Sequence, residues 1–370
     1  VNTKERLFAA IEQRPVDRMP AMTYNFHPYT SQWQANEDGT FSGPSGYQPM
    51  MDAVLESGMG MMPKVGARHR SERQERTHSQ TFLEGDAEVR LTTLETPKGP
   101  LTTRFVKPAG QPGYYVKSLI ESDDDLQRYL SLPNEPAQVD LSHAKEVYER
   151  LGNGGVVHLG YADPMYAVAQ LFDFEDFCIR TVQQRSLIVD MIEREYERIR
   201  VELARMLEQV QGYDFMFCTA GPEVATPPML SPDTFAALVV PYEKALVQMI
   251  HKAGQTSAIH CHGRVRRVLD QFMEIGIDAL EPMEPPPQGD ISLDEALEYV
   301  DGRICLMGYI QDQDLYRARP GEMRAKVCAV RQVVEGRTGY IMTSTATPYM
   351  EDPPSDFVCN YIEYVRAATE

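Results

Sequence analysis

From about residue 150 onward the chain repeats one pattern, a short apolar run followed by a longer run with a 3.6-residue apolar rhythm. The short runs are GVVHLG (155–160), YDFMFCTA (213–220), TSAIHC (256–261), IDALE (277–281), RICLMGY (303–309) and GYIMTS (339–344). Between them lie PMYAVAQLF (164–172), the long stretch 182–210, SPDTFAALVVPYEKALVQMIHKAG (231–254), VRRVLDQFMEIG (265–276), SLDEALEYV (292–300) and GEMRAKVCAVRQVVEG (321–336). Six strands alternating with amphipathic helices dictate a parallel sheet, because a parallel return needs a crossover and a helix is the usual one. The strands are almost continuously apolar, which is the signature of a sheet covered on both faces.

Two further strands are expected from the first half. RMPAMTY (18–24) is one, and EVRLTTLETPKGPLTTRF (88–105) supplies another as a hairpin turning at Pro97-Lys98-Gly99. Eight βα units predict a single α/β domain over residues 1–370, a (β/α)8 TIM barrel with an elaborated N-terminal half. The rival is an open doubly wound sheet. Against it, no Gly-x-Gly-x-x-Gly or Gly-x-x-x-x-Gly-Lys loop follows any strand. The polar, aromatic and Gly-rich stretch from residue 25 to about 60 reads as an excursion over one mouth of the barrel or a partner surface.

Charge narrows the partners. With 54 acidic against 36 Lys and Arg residues the net charge is -18, which repels nucleic acid and anionic membrane surfaces alike. A small anionic substrate stays open, since Arg264, Arg266 and Arg267 cluster after the 256–261 strand. The 6 cysteines are scattered without disulfide-like spacing, which suits a reducing compartment. No run approaches the roughly 20 apolar residues of a membrane span, and VNTKERLFAAIEQR does not read as a secretory signal. The expected location is the cytoplasm.

In a barrel, reactive groups sit at the C-terminal ends of the strands and in the loops that follow. Here those ends are polar. The 155–160 strand carries His158 and is followed by Asp163; the next runs into a loop with Glu223 and Thr226; the last leads to Tyr349. His260 and His262 lie two residues apart, so on an extended strand their side chains share a face while Cys261 points away into the packing. Imidazoles so placed can chelate one divalent ion, and Glu281 or Glu284 at the next strand end can add a carboxylate, a set for which Zn²⁺ is the natural choice. The same histidines also suit acid–base or substrate contacts, or a structural role. Glu223, Asp163 and Tyr349 are the candidate catalytic groups, and His158, Arg264 and Thr226 the candidate substrate contacts.

KERLFAAIEQRPVDRMPAM near the start, the 231–254 helix, IHCHG, IGIDALE, LMGYI and the terminal YIMTSTATPYMEDPP together resemble the uroporphyrinogen decarboxylase superfamily. That resemblance implies a (β/α)8 barrel. It implies one of two activities: decarboxylation of a carboxylated tetrapyrrole or aromatic, or zinc-dependent methyl transfer involving a corrinoid protein or a thiol. The decarboxylase holds substrate carboxylates with arginines in its opening stretch, and here that place reads AMTYNFHPY, without arginine. The methyltransferase branch holds zinc with His-x-Cys-Gly and a late cysteine. His260 matches that histidine, His262 stands where the cysteine would be, and TSTATP replaces the segment bearing the late cysteine. A glutamate past the His-x-Cys pair, used in the methionine synthase branch, makes Glu281 or Glu284 the implied third ligand.

The resemblance therefore points to a zinc-dependent, methyltransferase-like enzyme with a corrinoid protein as its implied partner. A decarboxylase, with Arg264 and other rim arginines holding carboxylates, is the alternative enzyme. A non-catalytic binding protein on the same barrel is the alternative outside catalysis. A homodimer is the default assembly for such barrels.

Overall fold

The computed structural model describes residues 1–37, 40–348, 350 and 352–370. In chain order its main strands are β1 (Lys64–Gly66), β2 (Thr77–Glu84), β3 (Ala87–Leu94), β4 (Leu101–Lys107), β5 (Tyr114–Lys117), β6 (His158–Gly160), β7 (Met216–Ala220), β8 (Thr256–His260), β9 (Ala279–Met283), β10 (Cys305–Ile310) and β11 (Tyr340–Ser344). Seven of them form one parallel sheet in the order β11-β10-β9-β8-β7-β6-β1. All six strands expected from the second half are present, in sequential order.

The sheet curls, and one segment of chain touches both its β11 edge and the residues just before β1. Met22 N–H donates to the Met342 carbonyl at 2.9 Å and Met342 N–H to the Pro20 carbonyl at 2.9 Å; one residue on, Thr23 N–H donates to Gly60 O at 2.8 Å. Single parallel bridges, Ala21 to Met342 and Met22 to Gly60, mark this segment on either side. The architecture is thus an α/β fold with a curled, parallel central sheet. The segment at 18–24 lies where the sequence places a strand, although its pairing is too brief to be a regular one.

Both faces of the sheet are apolar. Met216, Ala258, Ala279, Cys305, Met307 and Ile341 point inward and pack with Met22, Met62 and Val156, and the first helix (Thr3–Ile11) brings Leu7, Ala10 and Ile11 against them. Phe217, Ile259, Leu280, Leu306 and Met342 alternate with these and join the helices in the larger outer core. Burying both faces explains why the strands read as apolar runs instead of alternating ones.

Helix boundaries follow local chemistry. Ser292 caps the helix Leu293–Val300 in a capping box with Glu295. Ser231 caps Pro232–Leu238, accepting from Thr234 N–H at 3.1 Å. The single helix expected over 231–254 is instead two, Pro232–Leu238 and Val240–Lys252; Pro241 has no N–H to give to the preceding turn and its ring crowds that carbonyl. The 182–210 stretch likewise divides, with Phe174–Gln183 and Arg185–Gln209 meeting at Gln184.

The first half departs further from expectation. The hairpin is real: β3 and β4 are antiparallel, with Leu94 opposite Leu101 across the expected turn. It belongs, however, to a separate four-stranded antiparallel sheet, β2-β3-β4-β5, and not to the central one. The central position is taken by β1 and the residues before it. MPKVG carries no long apolar run to announce a strand, and the side chain it turns toward the site is Lys64. The excursion after residue 25 holds a helix, Gln48–Ser57, packed against the C-terminal helix Ser355–Thr369. No helix among the described residues is long and apolar enough to cross a membrane.

Candidate functional site

Above the inward apolar layer the same alternation brings six polar groups together: Tyr24, Lys64 of β1, His158 of β6, Cys218 of β7, His260 of β8 and Glu281 of β9. The register sets them side by side, with His158 level with Lys64 and His260 level with Glu281. Glu281 is the centre. Its side chain is fully buried, and its Oε1 accepts from Lys64 Nζ at 2.6 Å. The same oxygen lies 3.3 Å from His260 Nδ1, 3.7 Å from His158 Nδ1 and 3.8 Å from Cys218 Sγ. Lys64 Nζ also donates to the Tyr24 hydroxyl at 2.7 Å and sits 4.1 Å from the centre of that ring. The Tyr24 hydroxyl reaches His260 Nδ1 at 2.8 Å, which closes a ring of contacts through Glu281.

Electrostatics fix the charge states. Burial alone would push Glu281 toward its neutral form, but Lys64 foremost, then His158 and His260, hold its pKa well below the ordinary carboxylate range. Lys64 is held charged by the same pairing against its own desolvation. Burial lowers His158 to about 4, so its imidazole is neutral. Burial also raises the Cys218 thiol and the Tyr24 phenol far above their usual values.

Three of these groups fit a metal ion. The donor atoms of His158, Cys218 and Glu281 lie within 4.8 Å of one another. Both ring nitrogens of His158 and Oε2 of Glu281 are buried without a hydrogen-bond partner, and buried polar atoms of that kind are usually satisfied by a water, an ion or a ligand. A neutral imidazole, a thiol able to ionise against a cation, and a carboxylate form a donor set suited to zinc.

His262 and Glu284 form a neighbouring pair nearer the surface. β8 ends at His260, and the His262 ring packs edge-on against the His260 ring at 4.6 Å between centres. His262 Nδ1 lies 3.3 Å from Glu284 Oε2. Glu284 is anchored in turn by Gly263 N–H at 2.7 Å and Gln311 Nε2 at 3.5 Å. The imidazole is thereby raised against its own desolvation, and the carboxylate lowered against its own. Cys261 is fully buried in the outer core.

The remaining candidates lie elsewhere on the rim. Asp163 caps the helix Pro164–Ala169 through Tyr166 N–H at 2.6 Å. Its other oxygen is buried beside Glu243, which accepts from the Tyr161 hydroxyl at 2.8 Å. Desolvation foremost raises both carboxyls, with the charge of Glu223 adding to the rise at Asp163 and that of Asp163 adding to the rise at Glu243. Glu223 accepts from Gly221 N–H at 3.1 Å, and Thr226 Oγ1 donates to the Glu223 carbonyl at 2.9 Å, contacts that shape the loop after β7. Arg264 is exposed. Tyr349 lies outside the described residues.

The structure therefore joins His260 and Glu281 of the expected metal set and His158 of the expected substrate contacts with three residues not singled out from the sequence, Tyr24, Lys64 and Cys218. Cys218 and Tyr24 carry a retrospective signal, each standing two residues beyond an inward methionine, Met216 and Met22. Lys64 carries none.

The uroporphyrinogen decarboxylase (URO-D) family model matches residues 191–364. No curated protein matches the chain at a significant level. Among solved structures, a methyltransferase from Methanosarcina mazei superposes with a TM-score of 0.59 at 16% identity, covering 99% of this chain and 98% of that one. A B12-independent methionine synthase from Shewanella sp. W3-18-1 gives a TM-score of 0.49 at 10% identity, over 95% of this chain and 97% of the other. At such identity the Methanosarcina likeness speaks for the fold alone. By sequence over residues 191–364 this chain is tied to the uroporphyrinogen decarboxylase family, and by fold over nearly its whole length to the Methanosarcina methyltransferase.

Proposed function

We propose that this protein is a metal-dependent, methyltransferase-like enzyme, with segment 20–23 serving as the eighth strand of a single-domain (β/α)8 barrel. The observation that carries the reading is the convergence of His158, Cys218 and Glu281, donor atoms within 4.8 Å, on the inner face of β6, β7 and β9. His158, Cys218 and Glu281 would hold zinc, with His260 beside them. When bound, zinc supplies a Lewis acid for the heteroatom of a small substrate. The chain's own groups do the rest. Tyr24, bonded to both Lys64 and His260, fixes the imidazole, while Lys64 balances the charge of Glu281. The buried layer excludes water from the reacting atoms. A small methylated compound as donor and a corrinoid protein as acceptor are the finer form of this proposal. The six free cysteines support a cytoplasmic location.

Elemental analysis of the purified protein tests it. We expect about one zinc per chain, lost in His158→Ala, Cys218→Ser and Glu281→Gln. A metal-free wild type whose melting temperature ignores both zinc and chelator would sink the metal reading.

A second reading, a metal-free decarboxylase, is favoured by one contact. Lys64 Nζ sits 2.6 Å from a buried carboxylate, so a cation is already placed where a substrate carboxylate could be exchanged for Glu281. Carbon dioxide release that persists in chelator and disappears in Lys64→Met would select this reading over the first.

A further inference from the structure

The antiparallel sheet at 77–117 lies outside the residues matched by the family, and the candidate site draws nothing from it. Its outer strand, β2, pairs with β3 on one side, and no strand among the described residues pairs with the other. All eight residues, Thr77–Glu84, are exposed, among them Leu83 at 73%. An open edge of this length presents a row of unpaired N–H and C=O groups, and proteins usually blunt such an edge with Lys, Pro or a bulge. β2 has none of these: its sequence is THSQTFLE, and its pairing with β3 is regular along the whole strand.

We propose that β2 pairs with β2 of a second copy across a two-fold axis at Gln80, joining the two sheets into one of eight strands. The axis must stand perpendicular to the sheet for the strands to run antiparallel, and each residue then meets one of its own parity. Centred on Gln80, this register sets Ser79 opposite Thr81, His78 opposite Phe82 and Arg76 opposite Glu84, each twice. The only cation and the only anion of the 76–84 segment thus face each other across the axis. Opposite charges at facing positions stabilise a strand pair. Within each copy Arg76 also contacts Glu72, and Glu84 accepts from Arg104 at 2.5 Å, so the new pair extends an existing ladder of charges.

The balance of the whole chain points to the same edge. Two molecules of charge -18 repel each other over most of their surfaces, but residues 77–117 carry five Lys or Arg against four acidic residues. This is where two copies approach at least electrostatic cost.

Sedimentation velocity of the full chain gives the first test, with a dimer expected. The second uses Gln80→Cys in a background with Cys178, Cys328 and Cys359 changed to Ser. Facing residues of an antiparallel pair have Cα atoms about 4.5–5.5 Å apart, inside the roughly 4.4–6.8 Å range for a disulfide. Gln80→Cys is therefore expected to cross-link on mild oxidation. Ser79→Cys and Thr81→Cys, each alone, are not, while an equimolar mixture of the two is. Arg76→Glu should dissociate the dimer at least tenfold, and Arg76→Glu with Glu84→Arg should restore it, with circular dichroism confirming that each variant is folded. A monomeric wild type, or a dimer in which Gln80→Cys does not cross-link, overturns the proposal.

Discussion

Changing Lys64 to Met removes the nearest positive charge to Glu281 while keeping a side chain of similar length. Glu281 is fully buried and Lys64 retains 27% side-chain exposure. Removing one partner of a buried pair typically costs about 3–5 kcal/mol. His260, with its Nδ1 3.3 Å from the carboxylate, remains as a polar neighbour, which favours the lower end, about 3 kcal/mol. With about 2.1 cal/mol/K of unfolding entropy per residue, a chain of 370 residues changes stability by about 0.8 kcal/mol per kelvin near its midpoint. The expected loss in melting temperature is then about 4 °C, measured by calorimetry in chelator. Adding zinc should reverse it. Without the ammonium group Glu281 is a freer ligand, so a cation that binds only the folded state stabilises Lys64→Met by more than the wild type. A variant melting within 1 °C of wild type in chelator would refute the idea that Lys64 neutralises a buried carboxylate. Equal zinc-induced gains in both proteins would refute the idea that it competes with the metal.

Asp312 gives a pH-dependent case away from the candidate ligands. Burial raises its pKa from 3.8 to about 6. A raised folded value means that its contribution is fully present below about pH 4 and is lost as the pH rises through 6. Asp312→Asn should therefore gain on the wild type by up to about 3 kcal/mol between pH 4 and pH 8, and a gap independent of pH in thermal melts would count against it. Gly155 leaves no room for a side chain, since an added Cβ would meet the Met61 carbonyl oxygen at 1.9 Å. Gly155→Ala should cost about 1–3 kcal/mol in urea unfolding, and a neutral result would mean that the approach of these segments is looser than described. Ser292→Ala removes one half of a capping box and should cost about 1 kcal/mol by the same assay, with Ser292→Gly costing less.

The second half of the chain was legible because its strands are covered on both faces. Each run such as AIHC or IDALE is short, apolar and bounded by helical rhythm, and every one became a strand. The first half was not, for a matching reason. β1 offers three paired residues and turns a lysine toward the site, so nothing in MPKVG distinguishes it from a loop. The 88–105 hairpin has the stronger strand signal but packs into its own sheet, and periodicity alone does not say which sheet a strand joins. At the site, strand parity placed His260 inward and Cys261 outward in the packing. Parity failed to foresee that His262, just past the end of β8, would take Glu284 for its partner while Glu281 gathered Lys64, His158 and Cys218. Which side chains converge depends on the curl of the sheet, and the curl is not written in any one strand.

The six groups of the site, Glu281 and the five around it, come from six separate stretches of chain, and these divide evenly. Cys218, His260 and Glu281 lie within the stretch shared with the decarboxylase family, while Tyr24, Lys64 and His158 come from before it. The matched stretch thus contributes two of the proposed metal donors, Cys218 and Glu281, with His260 beside them, while the segment before it contributes the third donor, His158, together with the ammonium and the phenol. A change at 24, 64 or 158 alters the site while leaving every residue of the matched stretch in place. Two relatives identical across 191–364 need not share a substrate, and the residues at 24, 64 and 158 are the ones to compare before assuming that they do.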